Sequence, residues 1–332
     1  MAATLKDVAN KAGVSTSAVS RTFTDGASVS DKMRRKVEKA AADLGYSPNF
    51  LARSLTTRRT KLIGLVSNNF HNPIFLEVFD LFTRGLQDRG LRPLLVNLSN
   101  ETDPEQSVQM LRQYSVDGVV VASSTLPPAF SKAFRDKKIP VVNTFGRYSS
   151  SPEVHVVGID NVEAGRMAAR ALLQRGYKDV AFLGGPETAT STQDRLKGFQ
   201  EELALCPDVT TRHSFAEQYS FQAGRSEMLR LAQGGLAEAY FCGDDVLSIG
   251  VLSAIKDAGL NVPGDIGIIG FNNMEMSRWE NIALTTIHQP IKQIINSSVE
   301  LMTAMLDEPD RYPEARLFPC QIIERDTLRP LG

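Results

Sequence analysis

The sequence predicts a small all-α head followed by an α/β body of two doubly wound parallel-sheet subdomains. Three observations carry this. Up to residue 47, apolar residues recur at helical spacing between glycine turns. From residue 61 onward, short apolar β-rich runs alternate with amphipathic stretches, the pattern of parallel sheets covered on both faces. At 332 residues the chain also exceeds what one hydrophobic core usually holds.

The head begins with Leu5, Val8, Ala9 and Ala12, spaced to line one helix face. Thr4 is placed to cap it, with Asp7 near the positive helix end. Gly13 is suited to end it. Ser15 caps a second helix, "STSAVSR", whose Ala18 and Val19 face inward while hydroxyls and Arg21 face out. So short a glycine turn between two helices is the signature of a helix-turn-helix. A third helix starts at Ser30, buries Met33, Val37, Ala40, Ala41 and Leu44, and stops at Gly45. In a helix-turn-helix the second helix enters the DNA major groove. Short hydroxyl residues let it approach closely, and Arg21 offers a planar fork for guanine. A three-helix domain that binds protein would share the spacing.

Charge divides along the same line. Residues 1–60 carry a net +6 and the rest −7, against a whole-chain net of −1. A basic head on an acidic body suits a polyanion partner, although a merely solvated basic face would look the same. The three cysteines are far apart, without metal-ligand or redox spacing, and point to reduced thiols in a cytoplasmic protein. The N-terminus lacks signal-peptide character, and no apolar run is long enough to span a membrane, so no membrane partner is expected.

In the body the runs are 61–67, 92–98, 117–123, 140–145 and 154–160, then 179–185, 237–243 and 266–271. Doubly wound sheets bind ligands outside the carboxyl ends of their strands. There the sequence places Asn68, Phe75, Asp160, Ser191, Arg195, Asp244 and Asn272. Amides, carboxylates and an arginine converging with aromatics suit a hydroxyl-rich small molecule. Alternatively, Phe75 is core, Asp160, Asp245 and Asn273 are helix caps, and Arg195 is a surface residue. No dinucleotide fingerprint, P-loop or nucleophile elbow is present, and the four histidines are scattered, so neither an enzyme nor a metal or cofactor site is expected. A sugar-binding transport protein would explain the body but not the head.

The strings "TLKDVANKAGVSTSAVSRTF", "VSDKMRRKVEKAAADLGYSPN" and "LARSL" resemble, essentially without gaps, the lactose/galactose repressor family of bacterial transcription regulators. The body resembles it more loosely, through "RLKGF", "DNVEAG", "VLSIGVLSAIKDAGLNVPGDIGIIGFNN" and "LTTIHQP". The resemblance implies a helix-turn-helix domain at 1–47 and a hinge helix with linker at 48–60. It implies two periplasmic-binding-protein-like subdomains, 61–161 with 292–320 and 162–291 with 321–332. Major-groove contacts then fall on Thr16, Ser17, Ser20 and Arg21, with Thr4, Ser15 and Ser30 at the helix starts beside them. Minor-groove contacts fall on Asn49, Ala52, Arg53 and Leu55, the leucine wedging between base pairs. Tyr219 and Trp279 join the effector residues. Without a leucine heptad after residue 320, a homodimer on a palindromic operator is expected. Two positions depart from the family: Asp244 stands where asparagine is usual, and Asn272 where aspartate is usual. The carboxylate and amide thus exchange places, which we expect to be across the cleft. The function implied is a ligand-responsive regulator, a repressor of carbohydrate or polyol genes. The alternatives are a sugar acid, sugar phosphate or nucleobase as effector, or action as an activator.

Overall fold

A computed structural model of the chain describes residues 3–24, 27–47, 59–98, 103–126 and 128–331. The expected minor-groove residues Asn49, Ala52, Arg53 and Leu55 lie outside the described residues. The chain forms two compact units, 1–60 and 61–332.

In the first unit, helix α1 (Leu5–Ala12) opens with a capping box. The Asp7 backbone N–H donates to the Thr4 hydroxyl, and the Thr4 backbone N–H donates to the Asp7 carboxylate at 2.8 Å. The Thr4 hydroxyl also donates to that carboxylate, and these bonds hold the Asp7 pKa down. Gly13 ends α1 with φ 57°, a left-handed conformation that glycine adopts without a Cβ penalty. Ser15 caps α2 (Thr16–Thr22), accepting from Ala18 N–H. Ser30 caps α3 (Asp31–Leu44), which Gly45 closes in the left-handed region. Val8, Ala9, Ala12, Val19, Val37, Ala40 and Ala41 form the core. It is small and alanine-rich, so the caps carry a large share of the head's stability.

The second unit holds two six-stranded sheets. The first contains β1 (Leu62–Ser67), β2 (Arg92–Asn97), β3 (Gly118–Ala122), β4 (Val141–Thr144), β5 (His155–Gly158) and β11 (Ala315–Leu317), ordered β11-β5-β4-β3-β1-β2. The second contains β6 (Asp179–Gly184), β7 (Thr210–Phe215), β8 (Ala239–Cys242), β9 (Gly267–Phe271), β10 (Thr286–His288) and β12 (Gln321–Ile323), ordered β12-β10-β9-β8-β6-β7. Neighbours pair in parallel, except β12, which is antiparallel to β10. Strands β3, β4, β5 and β8 are buried throughout, which is why they show as mainly apolar runs, with Asn143, Thr144 and His155 as the polar exceptions. Strand β7, "TTRHSF", was not among the expected runs: it is an edge strand, mostly exposed, and carries no apolar signal.

Helices α4 (Ile74–Asp88), α5 (Pro104–Gln113) and α6 (Pro128–Asp136) follow β1, β2 and β3. In the second half α7 (Asn161–Leu173), α8 (Thr190–Leu203), α9 (Phe221–Ala232) and α10 (Asp245–Asp257) intervene. Helix α11 (Ile291–Asp307) returns to pack on α4 and on strands β3 to β5. The chain thus passes between sheets after β5, after β10 and between β11 and β12. Helices α7 and α8 meet closely through glycines. A Cβ on Gly198 would overlap the Val162 carbonyl oxygen, and one on Gly165 that of Arg195.

Candidate DNA-reading face and effector cavity

Helix α2 turns two different faces outward and inward. Ala18, Val19 and Thr22 are buried, whereas Ser15, Thr16, Ser17, Ser20 and Arg21 are exposed. Positions 16, 17, 20 and 21 share one helical face. Arg21 runs back along it, its Nε 3.4 Å from the Ser17 carbonyl oxygen, without a carboxylate partner among the described residues. Thr4 and Ser30 are exposed too, at the starts of α1 and α3. A short, hydroxyl-lined face ending in a guanidinium presents donors and acceptors without bulk, as groove readout needs.

In the second unit a cavity lies where the carboxyl ends of the two sheets' strands converge, as the topology rule requires. Loops after the first sheet's strands supply Asn69, Asn72, Ser124 and Phe145, with Phe75 from α4. Arg195, Tyr219, Asp244, Asn272 and Gln289 come from the second sheet's side, together with Asn161 of α7. These side chains leave about 40 Å³ of free space, room for roughly three waters.

Asp244 is the hub. Its Oδ1 accepts from Val246 N–H at 2.8 Å, capping α10. Its Oδ2 accepts from Asn72 Nδ2 and from Asn272 Nδ2, both at 2.8 Å. Gln289 Nε2 donates in turn to Asn272 Oδ1 at 2.5 Å. Burial pushes the Asp244 carboxyl up to about 6, against the pull of these donors and of Arg195, so it is ionised at neutral pH. Asp245, fully buried behind it, is pushed up to about 8, chiefly by burial. Thr286 Oγ1 and Met274 N–H each donate to one of its oxygens, which pulls the other way.

Arg195 is buried yet makes no ion pair among the described residues. Its Nε donates to Asn161 Oδ1 at 2.9 Å, its Nη1 to the Gly243 carbonyl at 2.6 Å, and its guanidinium stacks 3.6 Å above the Phe271 ring. Burial lowers its pKa, with Tyr219 and Asp244 pulling the other way. Tyr219 reaches the cavity from behind α8, its hydroxyl 2.7 Å from Thr192 Oγ1 and 3.3 Å from Ser191 Oγ. Asn272 and Asn273 take positive φ (112° and 56°), which turns the chain sharply after β9 and folds the Asn272 amide back onto Asp244.

Of the expected effector residues, Phe75, Arg195, Tyr219, Asp244 and Asn272 line the cavity. Phe75 is at once wall and core. Ser191 is buried one layer back, against Tyr219. Three expected residues do not line this cavity. Asn68 spends its Oδ1 on the hydroxyls of Ser123 and Thr125, tying the ends of β1 and β3 together. Asp160 accepts from Val162 and Glu163 N–H and caps α7. Trp279 follows a 3-10 turn, Glu275–Arg278, anchored by buried Ser277; the indole is half exposed and does not line the cavity. The exchanged pair also behaves differently from expectation. Asp244 and Asn272 follow neighbouring strands of one sheet and bond each other. The residue facing Asp244 across the cleft is Asn72. Asn72, Asn161 and Gln289 line the cavity without being among the expected residues; their one sequence signal is a position just beyond strand ends.

Fold and site together define a DNA-reading helix-turn-helix regulator with a periplasmic-binding-protein-like effector unit. Comparison with known proteins makes the assignment closer. Residues 4–49 match the family model of bacterial regulatory proteins of the lacI family, and residues 169–328 a periplasmic binding protein-like domain. The HTH-type transcriptional repressor PurR of Pectobacterium carotovorum is 34% identical over 307 residues, covering 90% of this chain and 89% of that protein. The repressor CytR of Escherichia coli K12 is 30% identical over 334 residues, covering 99% and 97%. In fold, the chain superposes on the Lac repressor dimer bound to operator and the anti-inducer ONPF with a TM-score of 0.86, at 24% identity and coverage of 98% and 99%. A LacI-family regulator from Silicibacter pomeroyi gives 0.80 at 27% identity, covering 99% and 100%. The chain belongs to the LacI family of bacterial transcription regulators and is a DNA-binding repressor. Among its described residues no helix is long and apolar enough to cross a membrane, and no group of side chains is arranged to hold a metal ion.

Proposed function

We propose that this repressor binds a palindromic operator as a homodimer in the cytoplasm and is controlled by a neutral polyhydroxylated molecule, a sugar or polyol, in the cavity around Asp244. The bodies that close on the ligand are 61–161 with 292–320 and 162–291 with 321–332. Thr16, Ser17, Ser20 and Arg21 read the major groove. Thr4, Ser15 and Ser30 support them, and Asn49, Ala52, Arg53 and Leu55 enter the minor groove.

One observation carries the ligand class. The cavity holds one guanidinium, Arg195, and one ionised carboxylate, Asp244, among five amides. Its charges balance, so a net charge on the ligand would go uncompensated in a buried site. Amides, a guanidinium and a carboxylate match vicinal hydroxyls, each of which both donates and accepts. Phe75 and Phe145 offer apolar faces to ring carbons.

The test is a thermal-shift screen with neutral sugars and polyols, sugar acids, sugar phosphates and nucleobases. A ligand at about a hundred times its dissociation constant stabilises the folded state by roughly 2.7 kcal/mol. Hits among neutral polyols are expected. Stabilisation by sugar acids, phosphates or nucleobases alone would overturn the ligand class.

A further inference from the structure

Asn72 does something no cap or core residue needs to do. It is buried in the loop between β1 and α4, and its two side-chain atoms serve different halves of the unit. Oδ1 accepts from Ile74 N–H at 3.2 Å, at the start of α4. Nδ2 donates to Asp244 Oδ2 at 2.8 Å. Asp244 is built the same way, with one oxygen on the start of α10 and the other on Asn72. The two helix starts, one from each half, are thus joined through two side chains.

The free space beside this bridge is about 40 Å³, too little for a sugar ring. The halves must part for a ligand to enter, and the bridge lies in the way. Once it breaks, a buried carboxylate oxygen loses a donor. That oxygen keeps the Asn272 amide but forfeits one of its two charge-assisted bonds, and an O–H or N–H on the entering ligand restores it.

We infer that Asn72 is a stand-in for the effector: its amide occupies the effector's place on Asp244, latches the two halves together, and favours a ligand that brings a hydrogen-bond donor to that oxygen. The inference rests on reading this cavity as the effector site and adds a specificity rule to it. A deoxy analogue lacking the donor should bind roughly ten- to a hundredfold more weakly than the parent ligand, the scale set by one charge-assisted bond. Asn72→Ala should bind the parent ligand more tightly than wild type, because nothing has to be displaced.

Hydrogen exchange on the full chain without ligand tests this directly. The readout is protection in α10, at Val246 and Ser248, on the half opposite Asn72. In Asn72→Ala, exchange there should accelerate about tenfold. Asn72→Ser retains an oxygen for Ile74 N–H but is too short to reach Asp244; it should keep α4 protected and lose protection in α10. Acetamide, the side chain of Asn72 as a free molecule, should restore α10 protection in Asn72→Ala. N,N-dimethylacetamide, which has no N–H, should not. Unchanged α10 protection in both variants, or equal rescue by the two amides, would overturn the inference. These measurements use no sugar, so failure of the polyol reading shows separately, as a screen without neutral hits beside an intact acetamide response.

Discussion

Asp244→Asn is the perturbation whose effect the structure constrains most closely. In the native state the carboxyl is raised from an ordinary 3.8 to about 6, first by burial. A carboxyl raised on folding favours the folded state at low pH and loses that advantage as pH rises from the unfolded value to the folded one. Each unit is worth about 1.36 kcal/mol. Between pH 4.5 and 6.5 the Asp244 ionisation therefore removes about 2 kcal/mol of stability, and above that the loss is constant. Asparagine does not titrate, so the stability difference between wild type and variant should shrink by about 2 kcal/mol over that window. At neutral pH a second effect enters. The new amide sets an NH2 group where Asn72 and Asn272 both donate. Two charge-assisted bonds are lost, each worth about 1.5–3 kcal/mol, against relief of the buried charge, about 3 kcal/mol from the pKa displacement. The net should be a loss of roughly 0–3 kcal/mol at pH 7. Urea unfolding of both proteins at half-unit pH steps measures this. A difference that stays flat from pH 4.5 to 6.5 would refute the placement of Asp244 as a buried, ionising hub.

Further outcomes follow from the same geometry. Gly198→Ala places a methyl on the Val162 carbonyl oxygen; overpacking of about 1–3 kcal/mol should exceed the helix-propensity gain of about 1 kcal/mol, lowering the melting temperature and, through displaced Arg195, weakening effector binding. Ser15→Ala removes the α2 cap and should destabilise the head by about 1 kcal/mol, seen as an earlier head transition in calorimetry while the effector unit's transition stays put. Arg21→Ala should weaken binding to a selected operator by about ten- to a hundredfold, the discrimination of one bidentate base contact, measured by fluorescence anisotropy at fixed salt. Equal loss on random DNA would reassign Arg21 to the phosphates.

Local chemistry was the legible part of the sequence. Thr4, Ser15 and Ser30 as caps and Gly13 and Gly45 as stops depend on neighbours within four residues, and all five stand where spacing put them. Buried strands were visible as apolar runs, whereas β7, polar and on an edge, was not. In the site, residues at strand ends were found by topology, but topology does not say which way a side chain turns. Asn68 and Asp160 sit at strand ends and bond their own surroundings. Asn72 and Gln289 look like loop amides until the second sheet is set beside the first. The pairing of Asp244 with Asn272 depended on β8 and β9 being neighbours, which strand order supplies and sequence distance hides.

The central claim is that a small ligand at Asp244 governs DNA binding by the head. Operator affinity of the full chain, measured by anisotropy with and without a saturating neutral ligand from the thermal screen, tests it most directly. The account predicts at least a tenfold change in the dissociation constant, abolished in Asp244→Asn at the same ligand concentration. A ligand that stabilises the effector unit yet leaves operator affinity unchanged would contradict it.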